Sequence, residues 1–151
     1  MPNWCYNRIT IYGDSETEAK LKEIEEIFEK ADPFNQIFPI PDFKNIPDEK
    51  GELPKLEQKL NPDGSVFYET YNFSDGTNDD RWYHWCIQNW GTKWDACDKS
   101  VEYEDSEILA LTFNTAWSPP EGIVEKLREK YPELTFQCFY DEPGMEAAGY
   151  Y

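Results

Sequence analysis

The residues whose types and spacing could do chemistry are concentrated between Asp80 and Asp95, in Asp-Arg-Trp-Tyr-His-Trp-Cys-Ile-Gln-Asn-Trp-Gly-Thr-Lys-Trp-Asp. This stretch holds four of the six tryptophans (Trp82, Trp85, Trp90 and Trp94) and the single histidine, His84. Its second half combines indoles with a lysine and a carboxylate, a set that can stack a planar or sugar-like ligand and hydrogen-bond it. Trp90, Lys93, Trp94 and Asp95, joined by Trp117 from a later loop, are therefore the candidate ligand- or partner-binding residues. If Trp4 meets Trp94 and Trp117 in space, the three loops form one aromatic patch. A purely structural account competes with this one: Gly91 ends a helix, Trp90 and Trp94 fill core, and Lys93 pairs with Asp95 at the surface.

Other chemistry is thinly supported. His84 as a general base, with Ser118 or Cys86 as nucleophile, would need all members within hydrogen-bond reach and a third group to orient the base. No catalytic spacing of that kind is present, so no catalytic residue is assigned and a non-enzymatic protein is expected. The four cysteines (Cys5, Cys86, Cys97, Cys138) form no CxxC pair, and one histidine cannot complete a usual zinc site with them. Buried free thiols are expected instead. Asp75-Gly76-Thr77-Asn78-Asp79-Asp80 is rich in oxygen donors but lacks the one-three-five spacing and distal glutamate of a calcium loop. It is expected to be a solvated turn capping a helix at Arg81, and no metal or cofactor is implied.

The elements that must position these residues follow from periodicity. Asp79 or Asp80 as N-cap and Gly91 as a left-handed C′ residue bracket a helix that is apolar nearly all round. Such a helix is normally buried, so it is expected to be the core helix. Upstream, Cys5 to Tyr12 alternates as a strand. Ser15-Glu16-Thr17-Glu18 reads as a capping box, opening a helix that buries Leu21, Ile24, Ile27 and Phe28 before Asp32-Pro33 stops it. From Phe34 to about Asp79 prolines break the pattern. Ile37 to Pro41 reads as extended, Asn61-Pro62-Asp63-Gly64 as a turn, and Val66 to Phe73 as a short strand. Beyond the tryptophan helix, Lys99 to Tyr103 and Ile108 to Ala116 form a hairpin. Ser118 then caps a helix with Pro119 in its first position and Glu121 completing a second capping box. Ile123, Val124, Leu127 and Tyr131 give that helix its buried stripe. Leu134 to Tyr140 is a strand, and Glu146 to Tyr151 a short final one. Setting aside an insertion over about 34–97 that carries the tryptophan helix, the order is βαββαβ. The expectation is one α+β domain over 1–151, a ferredoxin-like antiparallel sheet backed by helices.

The motifs Met-Pro-Asn-Trp-Cys-Tyr-Asn-Arg at the start, Asn89 to Asp95, Phe113-Asn114-Thr115-Ala116-Trp117-Ser118-Pro119-Pro120, and Tyr140-Asp141-Glu142-Pro143-Gly144 together resemble the YubB-like family of phage and plasmid proteins. The resemblance implies a ferredoxin-like domain and a mobile-element setting, and brings no catalytic residues with it.

Charge narrows the partner. Thirty-one acidic residues against 14 basic ones give −17, spread along the chain. Such a field repels phosphates and anionic membranes, so direct nucleic-acid or membrane binding is not expected. With no basic, apolar signal region and no membrane-length apolar run, a cytoplasmic location is expected. The leading expectation is a binding module that presents acidic faces to a protein partner. The alternatives are a nucleotide or sugar binder using the tryptophan site, and a DNA-mimic antagonist of a host DNA-binding protein.

Overall fold

The computed structural model describes residues 2–151. In chain order the elements are β1 (Trp4–Tyr12), α1 (Glu18–Glu29), α2 (Pro33–Ile37), β2 (Lys55–Leu60), β3 (Val66–Asn72), α3 (Arg81–Asn89), β4 (Cys97–Glu104), β5 (Ile108–Ala116), α4 (Glu121–Lys130), β6 (Thr135–Glu142) and β7 (Ala147–Tyr150). The chain forms two compact units, one running up to Pro39 and resuming over Cys86–Tyr151, the other Ile40–Trp85.

The first unit is built on a five-stranded sheet in the order β4-β5-β1-β6-β7, with every neighbouring pair antiparallel. Without β7 this is the βαββαβ ferredoxin-like arrangement expected from the sequence. Period-two alternation makes one face of the sheet the core. On β1, Cys5, Asn7, Ile9 and Ile11 are buried while Trp4, Tyr6, Arg8 and Tyr12 point the other way. Leu21, Ile24 and Phe28 of α1 and Ile123, Val124 and Leu127 of α4 are buried as the helical periodicity requires. Phe28 and Phe34 both pack on Phe113 of β5, at 5.6 and 5.7 Å between ring centroids. Buried polar groups, Asn7 and Thr115 among them, interrupt this apolar layer. The Asn7 amide donates to the Cys5 carbonyl and the Thr115 hydroxyl, and its oxygen accepts the Tyr151 phenol at 2.9 Å. Its hydrogen-bonding capacity is met, as burial demands.

Several expectations need correction. The tryptophan helix α3 is not a core helix. Only Cys86 is buried in it, while Trp82, Tyr83, His84 and Ile87 are exposed. The two-layer architecture rests on α1 and α4 instead. Gly91 does end α3 with φ +89° and donates to the Cys86 carbonyl five residues back. Neither capping box forms. At the first helix the Thr17 hydroxyl, not that of Ser15, is engaged: it accepts the Asp14 amide and donates to the Asp14 carbonyl, and the helix starts only at Glu18. At the second, Ser118 is drawn into a tertiary contact and α4 starts at Glu121. The segment from Pro33 to Ile37, not foreseen as helix, is the short α2. Phe34 and Trp90 are buried in the first unit, and the second unit, Ile40–Trp85, lies within the insertion expected over about 34–97.

The second unit contains the ribbon β2–β3, of which β2 was not foreseen, and it is organised by Arg81. The Arg81 guanidinium forks onto the Asp79 carboxylate at 2.8 and 2.9 Å and donates to the carbonyls of Phe43 and Pro47. It also lies over the Phe43 and Phe73 rings, 5.0 and 5.5 Å from their centroids. The Asp75–Asp80 stretch is a turn, as expected. Asp75 accepts from the amide and hydroxyl of Thr77, and Asp79 accepts the Arg81 amide at the helix start.

Candidate functional site

The five residues nominated by sequence separate into two groups. Trp90 is core: it is 2% exposed, its indole N–H donates to the Phe38 carbonyl at 2.8 Å, and Phe34 meets its ring edge-on at 5.7 Å. Asp95 is also structural. Its carboxylate accepts the backbone amides of Phe34 and Asn35 at the start of α2 and that of Ala96. Burial raises its proton affinity above the usual carboxylate range, and those three amides work against the rise. The expected surface pairing of Asp95 with Lys93 gives way to this capping role.

Lys93, Trp94 and Trp117 reach the surface. Trp94 is 38% exposed and packs against Trp4, itself 37% exposed, with centroids 6.2 Å apart. The Lys93 ammonium sits 4.1 Å over the Trp94 ring. Trp4 pairs with Ala116 across the sheet, so Trp117, at 45% exposure, emerges beside it. Of the conditional patch, Trp4 and Trp94 are in ring contact at one end of the sheet, and Trp117 is exposed on the loop that follows the strand partner of Trp4.

Local structure explains why these loops hold still. Trp117 is in the left-handed region (φ +70°) and donates its amide to the Asn3 carbonyl, ending β5 abruptly. The Thr92 hydroxyl donates to the Ala116 carbonyl at 2.9 Å, and the Ser118 hydroxyl donates to the Gly91 carbonyl at 2.5 Å. A side chain on Gly91 would press on the Pro119 carbonyl, so only glycine lets the two loops approach this closely.

The patch continues along the open face of the sheet. Tyr6, Tyr12, Tyr103 and Tyr150 are all exposed there, around an Arg8–Glu102 ion pair of 3.2 Å. A shallow cavity of about 370 Å³ lies between Arg8, Tyr12, Phe139 and Tyr150. Sequence reasoning saw this alternation but assigned it no role. The signal was the aromatic content of the outward positions of β1. The opposite side carries a groove of about 470 Å³ between α1 and the β4–β5 turn, lined by Glu18, Glu25, Glu26, Glu29, Glu104 and Asp105. There a hydrogen bond to Glu104, desolvation and the neighbouring Glu29 push Glu25 up to about 7.

The groups weighed as catalytic are occupied or inert. The thiols of Cys5, Cys86 and Cys138 are pushed up to about 11 by burial, so they stay protonated near neutrality. All four cysteines are unpaired, three of them buried. His84 is exposed, 3.6 Å from the Asp80 carboxylate and edge-on to the Tyr83 ring. Among the described residues no group of three or more acidic, histidine or cysteine side chains is arranged to hold a metal ion, and no helix is long and apolar enough to cross a membrane.

Comparison with known proteins fits this architecture. Residues 70–151, more than half of the chain, match the family described as the ferredoxin-like domain in Api92-like protein. The chain belongs to that family. The Api92-like match spans α3, the exposed tryptophan loop and all of the sheet except β1. The crystal structure of protein api92 from Yersinia pseudotuberculosis is similar to the whole chain. The TM-score is 0.53 at 11% identity, with 99% of this chain and 93% of that one covered. At such low identity the likeness speaks for the fold alone. No curated protein matches the sequence.

Proposed function

We propose that this Api92-like chain is a non-enzymatic binding module that takes a basic protein partner at the Trp4–Trp94–Trp117 end of its sheet. The observation that carries the reading is the exposed Trp4–Trp94 pair, with exposed Trp117 on the loop after the strand partner of Trp4 and hydrogen bonds from Thr92 and Ser118 tying the two loops together. Large aromatic side chains held rigidly at a surface are what protein interfaces use as anchors. Two further features support it. The charge of −17 favours a cationic partner and disfavours polyanions, and the acidic groove on α1 offers a second contact of the same sign. Burial of Trp90 removes one wall of the nucleotide- or sugar-binding alternative. The resemblance to YubB-like phage and plasmid proteins supports a cytoplasmic host protein as the partner, DNA-binding proteins included.

The test is capture from a nuclease-treated bacterial lysate, followed by purification of whatever is retained and titration with the wild-type chain and with Trp4→Ala and Trp94→Ala. The reading expects a basic protein whose affinity falls at least tenfold in each variant and drops further with added salt. A retained protein that binds both variants as well as the wild type would refute the assigned surface. Tight binding of a single-stranded oligonucleotide at physiological salt would refute the partner class.

A further inference from the structure

The ribbon of the second unit is where the molecule leaves backbone groups and apolar side chains open together. All six residues of β2 are exposed, and Leu56, Leu60, Val66, Phe67 and Tyr68 rank among the exposed large hydrophobic side chains. The two edges of the ribbon are not equivalent. The C-terminal end of the outer edge of β3 is taken by its own chain: Asn72 bridges Asn78, and the amides of Asp79 and Phe73 close onto the carbonyls of Tyr71 and Thr77. The outer edge of β2 has no such cover. Among the described residues its only strand partner is β3, and no other backbone hydrogen bond involves Lys55–Leu60. A bare edge of this kind is a template for another strand, and a two-stranded ribbon by itself is marginally stable in water.

The chemistry of β2 selects the strand that fits. Lys55 and Lys59 against Glu57, Asp63 and Glu69 leave the ribbon, residues 55–72, at −1 in a chain of −17. Two copies of this chain repel each other elsewhere, and least of all here. The sequence Leu56-Glu57-Gln58-Lys59-Leu60 is also self-complementary when it runs antiparallel about a two-fold axis at Gln58. Glu57 of each copy then lies opposite Lys59 of the other, and Leu56 opposite Leu60. Lysine on an edge strand ordinarily discourages pairing, but in this register Lys59 of each copy meets Glu57 of the other, and Lys55 falls opposite Asn61 at the ends. Within the ribbon Leu56 pairs with Tyr71 and Leu60 with Val66. The doubled sheet would therefore carry Leu56, Leu60, Val66 and Tyr71 of both copies on one face, with the Gln58–Glu69 hydrogen-bonded pairs between them.

We propose that two copies of the chain associate through β2, in that register, to form a four-stranded antiparallel sheet with two-fold symmetry. This surface belongs to the second unit and does not depend on the tryptophan patch.

Sedimentation equilibrium of the full chain, from micromolar to several hundred micromolar, provides the test together with Glu57→Lys and Lys59→Glu. Each single reversal sets like charges opposite each other twice across the two-fold, and is expected to weaken self-association roughly tenfold. An equimolar mixture of the two variants restores both pairs, since lysines at 57 and 59 then face glutamates at 59 and 57. The mixture is expected to form a heterodimer of near wild-type affinity. Circular dichroism of each variant controls for folding. A wild-type chain that stays monomeric over the whole range overturns the proposal. So do dimers indifferent to both reversals, or folded single variants whose mixture fails to associate.

Discussion

At the scale of single residues, the contrast between Trp90 and Trp94 is the sharpest. They are four positions apart with the same side chain, yet one is 2% exposed and the other 38%. Trp90→Ala would open a cavity beside Phe34 and remove the indole donor from the Phe38 carbonyl, a loss of about 3–5 kcal/mol in urea unfolding. Trp94→Ala removes only surface packing on Trp4, and its unfolding midpoint is expected to stay within about 1 kcal/mol of wild type. Arg81 makes a different point. Its fork onto Asp79 and its two carbonyl contacts use geometry as well as charge. Arg81→Lys keeps the charge and loses the fork. The variant is expected to cost the second unit about 2 kcal/mol and to open residues 40–80 to limited proteolysis while the sheet stays protected.

At the scale of elements, the junction of α3 and α4 shows what a local motif cannot reveal. Ser118-Pro119-Pro120-Glu121 has every local mark of a helix start, but its hydroxyl spans to the Gly91 carbonyl instead. Next to it the Gly122 amide bonds the Trp90 carbonyl, and a Cβ on Gly122 would run into the Asn89 carbonyl. Ser118→Ala should therefore cost about 1–2 kcal/mol. Ser118→Asp, a better N-cap than alanine in an ordinary helix, should be worse than alanine here, because it sets a carboxylate against a carbonyl. A urea series on the three chains separates a cap from a cross-link. The same reasoning marks where the sequence was legible. β1, β5, α1, α4 and β6 each bury one face, so their period shows in the residue types, and with β4 as the hairpin partner of β5 the βαββαβ order followed. β2 buries nothing, and its alternation of lysine, leucine, glutamate and glutamine carries no inward face to detect. α2 is five residues long and draws two of its amide partners from Asp95, sixty residues away in sequence. The aromatic content of α3 suggested core, but the count of rings does not say which way they point. In the site, Trp94 and Trp117 were legible as surface candidates, whereas Trp4 needed the β1–β5 register to bring it to them.

At the scale of the whole molecule, proton linkage should decide where the fold is most stable. The Glu25 carboxyl is raised from 4.5 to about 7, first by its hydrogen bond to Glu104, then by desolvation and Glu29, with Lys22 opposing. The folded chain thus holds a proton that the unfolded chain has released. The stabilisation is complete below pH 4.5 and is lost as pH rises through about 7. Asp79 works in the opposite sense. Its hydrogen bond to Arg81 depresses it below 3.8, so its contribution is present above that value and lost as pH falls through the lower folded one. Glu23, held down by the Tyr131 hydroxyl and Lys130, behaves likewise. These opposing terms place maximal stability on the mildly acidic side of neutrality. The −17 charge works in the same direction, because the Glu25 carboxylate ionises into a fold that is already strongly negative. Glu25→Gln replaces the shared proton with a permanent amide donor toward Glu104. Urea unfolding across this pH range should show a flatter alkaline limb for the variant and greater stability than wild type above neutrality. Added salt should lift the wild type most where the two curves differ most, since screening relieves the same repulsion. Parallel curves for the two chains would show that Glu25 and Glu104 titrate independently of folding.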